Sequence, residues 1–308
     1  MKKAFLVLLS QLMTFSISAS TITGPDPDSV QDSLIKRFLR FVPDSMAIES
    51  VIISDFKDEE IEESWILITK DVNAENYEEA DEDDDTGFWN AENQYCRDHG
   101  SRGLVVLFRY KSGEYYKAVE DYYCLDSGEE DGGVYCAPDC SIYLDEDGIL
   151  NIHYGHGRYG FWGCTFVYMN GEFKYVISYS DESMSWIADA LSTSYINYEE
   201  GISTSSRLIN VNENFNENGD YNDDFVARYI YYTYDATPTY LLSISEVNHE
   251  EGRVRDPDIE YVNYRLLKIE VDDYKIVNGE KQWYRREITE EEAEEIKRKE
   301  AEDDDIQE

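Results

Sequence analysis

Val30, Leu34, Phe38 and Phe41 recur at three- and four-residue steps, so residues 28–42 are predicted to form one amphipathic helix. Asp28 with Gln31 supplies an N-terminal cap pattern, and Pro43, which cannot extend a helical ladder, stops it. Beyond Pro43 the pattern shortens to apolar and aromatic runs rich in tyrosine and β-branched residues, punctuated by Gly, Asn and Asp. These predict strands at 50–54, 65–69, 104–110, 115–119, 149–154, 164–168 and 173–179. Further strands are expected at 225–234, 240–245 and 261–271.

Three linkers carry hairpin chemistry: Lys111-Ser-Gly-Glu114, Met169-Asn-Gly-Glu172 and Val277-Asn-Gly-Glu280. Asn-Gly supplies the positive φ angles that a tight antiparallel turn needs. Residues 71–92 carry many acids and no Lys or Arg, which predicts a solvated loop inserted between two strands. Thr289-Glu-Glu-Glu292 opens a charged C-terminal helix through a capping-box pattern, with an acidic tail at 302–308. The fold class expected is mostly β, with antiparallel sheets in a sandwich or a partial propeller-like arrangement, plus an N-terminal and a C-terminal helix.

Charge narrows the partners. The net charge of -40 over 308 residues repels phosphate backbones and anionic lipids, so no nucleic-acid partner is expected. The start, MKKAFLVLLSQLMTFSISAS, has two lysines, an apolar run and small residues after it. That layout predicts a signal peptide over 1–20 and a secreted or periplasmic protein, with no membrane span. In such a compartment the five cysteines, Cys96, Cys124, Cys136, Cys140 and Cys164, are expected to form at least one disulfide, and the odd count leaves at least one thiol or an intermolecular bridge. The pairing stays open, and no second close cysteine pair completes a zinc site with Cys136 and Cys140.

The stretch NIHYGHGRYGFWG, residues 151–163, contains His153 and His156 among glycines and rings. A His-x-x-His pair without a local third ligand makes a poor zinc site, and no hydrolase motif surrounds it. It is predicted to be a structural hairpin. Tyr154, Tyr159, Phe161 and Trp162 are candidates either for core packing or for contact with a sugar or a protein.

Phe41-Val-Pro-Asp-Ser45, Ser64-Trp-Ile-Leu-Ile-Thr69, Arg102-Gly-Leu-Val-Val-Leu-Phe-Arg109, Gly113-Glu-Tyr-Tyr-Lys-Ala118 and Ile149-Leu-Asn-Ile-His-Tyr-Gly155 read as successive blocks. Over roughly residues 38–180 this order resembles an uncharacterised group of secreted bacterial proteins, whose loops are similar to the FG-GAP or VCBS repeats of integrin-α-type propellers. The resemblance implies calcium-type loops. Where the group has alternating Asp and Asn, this chain has Asp55, Lys57, Glu59 and Glu63, and an ammonium donates no oxygen to a cation.

The same spacing returns at 216–224. Asn216, Asn218, Asp220 and Asp224 fall at positions one, three, five and nine, and the Asn222 carbonyl falls at position seven. Alternating hard oxygens in a tight loop can converge on Ca²⁺, with weak affinity given only two charged ligands. The alternative is an Asn/Asp-rich turn held by its own side chains.

The organisation expected is a signal peptide (1–20), an N-terminal helical segment (21–43), the β-rich region of the resemblance (44–180), a second β-rich region (181–288), and an acidic C-terminal helix and tail (289–308). The function expected is a non-enzymatic binding or interaction module whose partner is a protein or a glycan. The alternative is an extracytoplasmic hydrolase or glycan-processing enzyme. Two carboxylates about 5–10 Å apart in a deep pocket would mark the enzyme, and a flat aromatic surface the binder.

Overall fold

A computed structural model describes residues 27–72, 77–79, 88–89, 95–98, 100–125, 139–155, 160–183, 190–210, 225–244, 246, 259–278 and 280–304. The chain opens with α1 (Pro27–Phe38) and a 3-10 turn at Leu39–Phe41. Strands β1 (Met46–Ser54) and β2 (Ile61–Asp71) follow. The short strands β3 (Tyr77–Glu79), β4 (Phe88–Trp89) and β5 (Tyr95–Asp98) come next, then β6 (Arg102–Tyr110) and β7 (Tyr115–Leu125). After them run β8 (Asp139–Leu144), β9 (Ile149–Gly155), β10 (Gly160–Met169), β11 (Glu172–Glu182), β12 (Ser192–Asn197) and β13 (Ile202–Leu208). The chain continues through β14 (Tyr229–Pro238), β15 (Tyr261–Val277) and β16 (Glu280–Glu287) to α2 (Glu290–Asp304).

All strand pairs are antiparallel and most follow chain order. One sheet runs β1-β2-β6-β7 and the other runs from β16 back to β8 in unbroken sequence. Strands β3 to β5 form a small separate sheet inserted between β2 and β6, so the acidic segment expected as a solvated loop carries short strands instead. The mostly β expectation, with a helix near each end, is what the structure shows; among the described residues the strands close no barrel. The nine-stranded sheet passes through residue 180 without a break, because β11 pairs with β10 on one side and β12 on the other.

The run Leu104–Phe108 explains how the layers stack. A strand covered on both faces has no need of polar alternation. Leu104, Val106 and Phe108 join Ile66, Ile68, Leu150, Ile152, Phe166 and Phe173 in the apolar layer between the two sheets. Val105 and Leu107 point the other way and join Trp65, Leu67 and Phe38 under α1. Helix α1 is fastened twice. Phe38 is fully buried 5.0 Å from Trp65, ring to ring, and the Gln31 amide bonds both backbone groups of Val51. Since β1 is an edge strand, Gln31 occupies backbone groups that would otherwise invite another chain.

The three expected hairpin turns all form. Asn170 and Asn278 take φ of 54°, and Gly113 and Gly171 also have positive φ. The strand expected at 240–245 is not found over its described residues, 240–244, which carry an isolated Lys174–Ser243 bridge. At the far end of the large sheet, Ala293 and Ile296 of α2 cover Ile230, Ile269 and Val271. The Thr289 hydroxyl caps α2 by accepting from the Glu292 amide at 3.2 Å. Among the described residues, no helix is long and apolar enough to cross a membrane.

Candidate functional site

Successive residues of a strand point to opposite faces, and this divides the rings of the histidine hairpin. Tyr154 and Trp162 sit opposite each other on β9 and β10 and stack at 5.4 Å on the inner face, against the inter-sheet core. Phe161 and His153 point outward, and Phe161 is 40% exposed. The stretch is therefore a hairpin with an aromatic core side and an aromatic open side. His156 and Tyr159 lie outside the described residues.

The open side is built around Gly163. Register places Gly163 between His153 on β9 and Tyr179 on β11. With no side chain at Gly163, the Tyr179 ring lies over β10, and its hydroxyl comes to 3.0 Å from His153 Nδ1. A Cβ on Gly163 would fall 2.4 Å from that hydroxyl and 2.5 Å from the Ile152 carbonyl, so only glycine fits. The His153 and Tyr179 rings stack at 5.9 Å, and Phe161 closes the triangle at 5.5 Å and 6.2 Å. Burial lowers the His153 pKa, which favours the neutral imidazole, and burial pushes the Tyr179 phenol well up.

The patch extends along the sheet. Tyr195 pairs with Tyr179 across β11 and β12, and Tyr143 on β8 is 44% exposed. Hydroxyls and amides fill the alternate places: Thr165 donates to Asn151 at 2.8 Å, and Thr193 bonds Ser206 at 2.8 Å. The four-stranded sheet and both helices pack on the inner side or elsewhere, so among the described residues no element covers this face. This face is thus ring-bearing, with uncharged hydroxyl and amide side chains paired between the rings.

The ion-loop candidates separate. In the first loop, Asp58 Oδ1 accepts from the amides of Glu60 and Ile61 at 2.7 Å each, Lys111 donates to the Glu59 carbonyl, and Glu63 pairs with Arg109 at 2.6 Å. Asp55, Lys57 and Glu59 therefore lie in a connection whose turn is held by Asp58, while Glu63 sits in β2 and pairs with Arg109, and no group of three or more ligating side chains occurs among the described residues. Asn216, Asn218, Asp220, Asn222 and Asp224 lie outside the described residues. So do the side chains of Cys96 and Cys136. No disulfide pair is seen among the described residues, and Cys124 is a fully buried thiol 3.7 Å from the Asp121 carbonyl.

Comparison with known protein families, with curated proteins and with solved structures returned no match. The functional reading therefore rests on the geometry of this chain.

Proposed function

We propose that the protein is an exported binding module and that the outer face of β8–β12 is its contact surface for a neutral glycan. The observation that carries this reading is the open arrangement of Tyr143, His153, Phe161, Tyr179 and Tyr195, with hydroxyl and amide side chains between them. A sugar ring is amphipathic in the same way: its C–H face packs on an aromatic ring and its rim exchanges hydrogen bonds. A purely apolar protein anchor would match the interspersed Asn151, Thr165 and Thr193 less well. The net charge of -40 favours a neutral or amino-bearing glycan over a polyanion. Export is supported by the signal-like start and by the resemblance to secreted bacterial proteins.

The test uses the full chain against neutral glucans and chito-oligosaccharides, by titration and on a glycan array. Phe161→Ala with Tyr143→Ala is expected to abolish binding while leaving the protein folded, because both residues are exposed and neither belongs to an apolar core cluster. Undiminished glycan binding by that folded double variant would overturn the reading.

A further inference from the structure

The inner face of the nine-stranded sheet is covered at two places with a gap between. The four-stranded sheet covers the β8–β11 end, and α2 covers the β14–β16 end. In between, register puts Ser192 opposite Arg207 and Ser194 opposite Ser205, and the three serines leave the floor low beside Arg207. The result is a groove of about 390 Å³, with Tyr232, Tyr234 and Lys297 as its wall on the α2 side. Ligand pockets run from roughly 300 to 1,000 Å³, so the space suits a small molecule.

We propose that this groove binds a sugar carrying a single carboxylate, a uronic acid being the simplest example. Three features combine to select that chemistry. The wall is aromatic: Tyr232 and Tyr234 lie 6.4 Å apart at 22°, and Tyr234 stacks on Tyr264 at 5.3 Å and 12°. Such a wall accepts the C–H face of a pyranose. The floor is hydroxyl-bearing, and each serine both donates and accepts, as sugar hydroxyls require.

The third feature is charge. Arg207 lines the groove and has no carboxylate partner among the described residues, in a chain with 67 acids against 27 lysines and arginines. A guanidinium is a planar fork that matches one carboxylate with two hydrogen bonds. Lys297 is the second cation, 5.0 Å from the centre of the Tyr232 ring. Its charge is matched by Glu294 at 2.9 Å, and Ser192 donates to Glu182 at 3.0 Å. Two carboxylates thus flank the two cations. That balance accommodates one negative charge at Arg207 and disfavours a phosphate dianion, against which the field of the whole acidic chain also acts.

The groove and the outer aromatic face lie on opposite sides of one sheet, so they can be tested separately. Ligand-observed NMR and calorimetry of the full chain with sodium glucuronate, glucose and sodium acetate are the measurements. Glucuronate is expected to bind more tightly than either control. Arg207→Gln, at an exposed position, should weaken glucuronate about ten- to hundredfold, the range for losing a charge-assisted contact. Phe161→Ala should leave glucuronate unaffected. Failure of glucuronate to bind, equal binding by a folded Arg207→Gln variant, or loss of binding in Phe161→Ala would overturn the site. Glucose binding as tightly as glucuronate would remove the carboxylate from the proposal, and acetate doing so would remove the sugar.

Discussion

The Tyr179 hydroxyl reaches His153 by crossing over Gly163, and the contact exists only because β10 carries no side chain there. Gly163→Ala must displace both the tyrosine ring and the Ile152 carbonyl, so we expect a loss of about 1–3 kcal/mol, as in overpacked sites. Tyr179→Phe removes only the hydrogen bond and should cost about 1 kcal/mol. Combining them should cost less than the sum, since the hydroxyl clash is gone and the hydrogen bond is lost only once, while the clashes with the ring carbon and the carbonyl stay. Denaturant melts of the two single variants and the double variant measure this, and strict additivity would show that the two residues do not meet.

His153 also sets a pH dependence. Burial holds its pKa below the ordinary value, so as the pH falls the unfolded chain takes up this proton before the folded chain does. The corresponding stability is present above about pH 6.5 and is lost as the pH drops through the lower folded value. The gap in melting temperature between wild type and His153→Gln should therefore shift against the wild type from pH 8 to pH 5. An NMR titration should place the imidazole below its free value, and a gap independent of pH would assign the titration elsewhere.

Cys124 is enclosed by the inter-sheet layer, and its thiol pKa is pushed up, first by burial and then by Asp121. It should resist alkylation in the native protein and react once the chain unfolds, because attack requires an exposed thiolate. The disulfide expected from the sequence adds a second readout: if it forms, denaturation without reductant should reveal fewer than five thiols by intact mass. Rapid native labelling at Cys124 would contradict its burial, and five labels after oxidative folding would contradict the disulfide.

Residues 216–224 remain the candidate calcium loop. The melting temperature should rise only when calcium exceeds about 10⁻⁴–10⁻³ M, since stabilisation by a ligand grows as the logarithm of one plus the ratio of its concentration to Kd and is small below Kd. Asp220→Ala with Asp224→Ala should remove that rise and leave the chain folded, with magnesium as control. An equal rise in the double variant would put the ion elsewhere.

The sequence pattern shows most of the core and little of the outer face. Apolar runs mark β2, β6 and β9 because those strands are buried, β2 and β6 on both faces. It misses β12 and β13, whose floor positions are serines; they are held by ladder bonds and by Thr193–Ser206, with no apolar stripe to announce them. It also misses β16, an edge strand of exposed polar and aromatic residues. The Tyr179 contact is hidden for a subtler reason. Counting outward from the Asn170-Gly171 turn pairs Phe173 with Tyr168 and Tyr175 with Phe166, and the same count would pair Tyr179 with Trp162. An extra residue on β11, Val176, opposite the Thr165–Phe166 step moves the register by one residue and sets Tyr179 against Gly163 instead. Nothing in the local sequence marks that extra residue.

Most strands in the two main sheets pair with strands that adjoin them in the chain, and this bears on how the molecule comes apart as well as how it assembles. Each ladder closes a local loop at little entropic cost, so the large sheet can grow by adding one strand at a time to an existing template. Tension applied between the ends would meet the same order in reverse. The chain should yield by peeling, strand after strand from β16 inward, until the force reaches the doubly packed layer beneath α1.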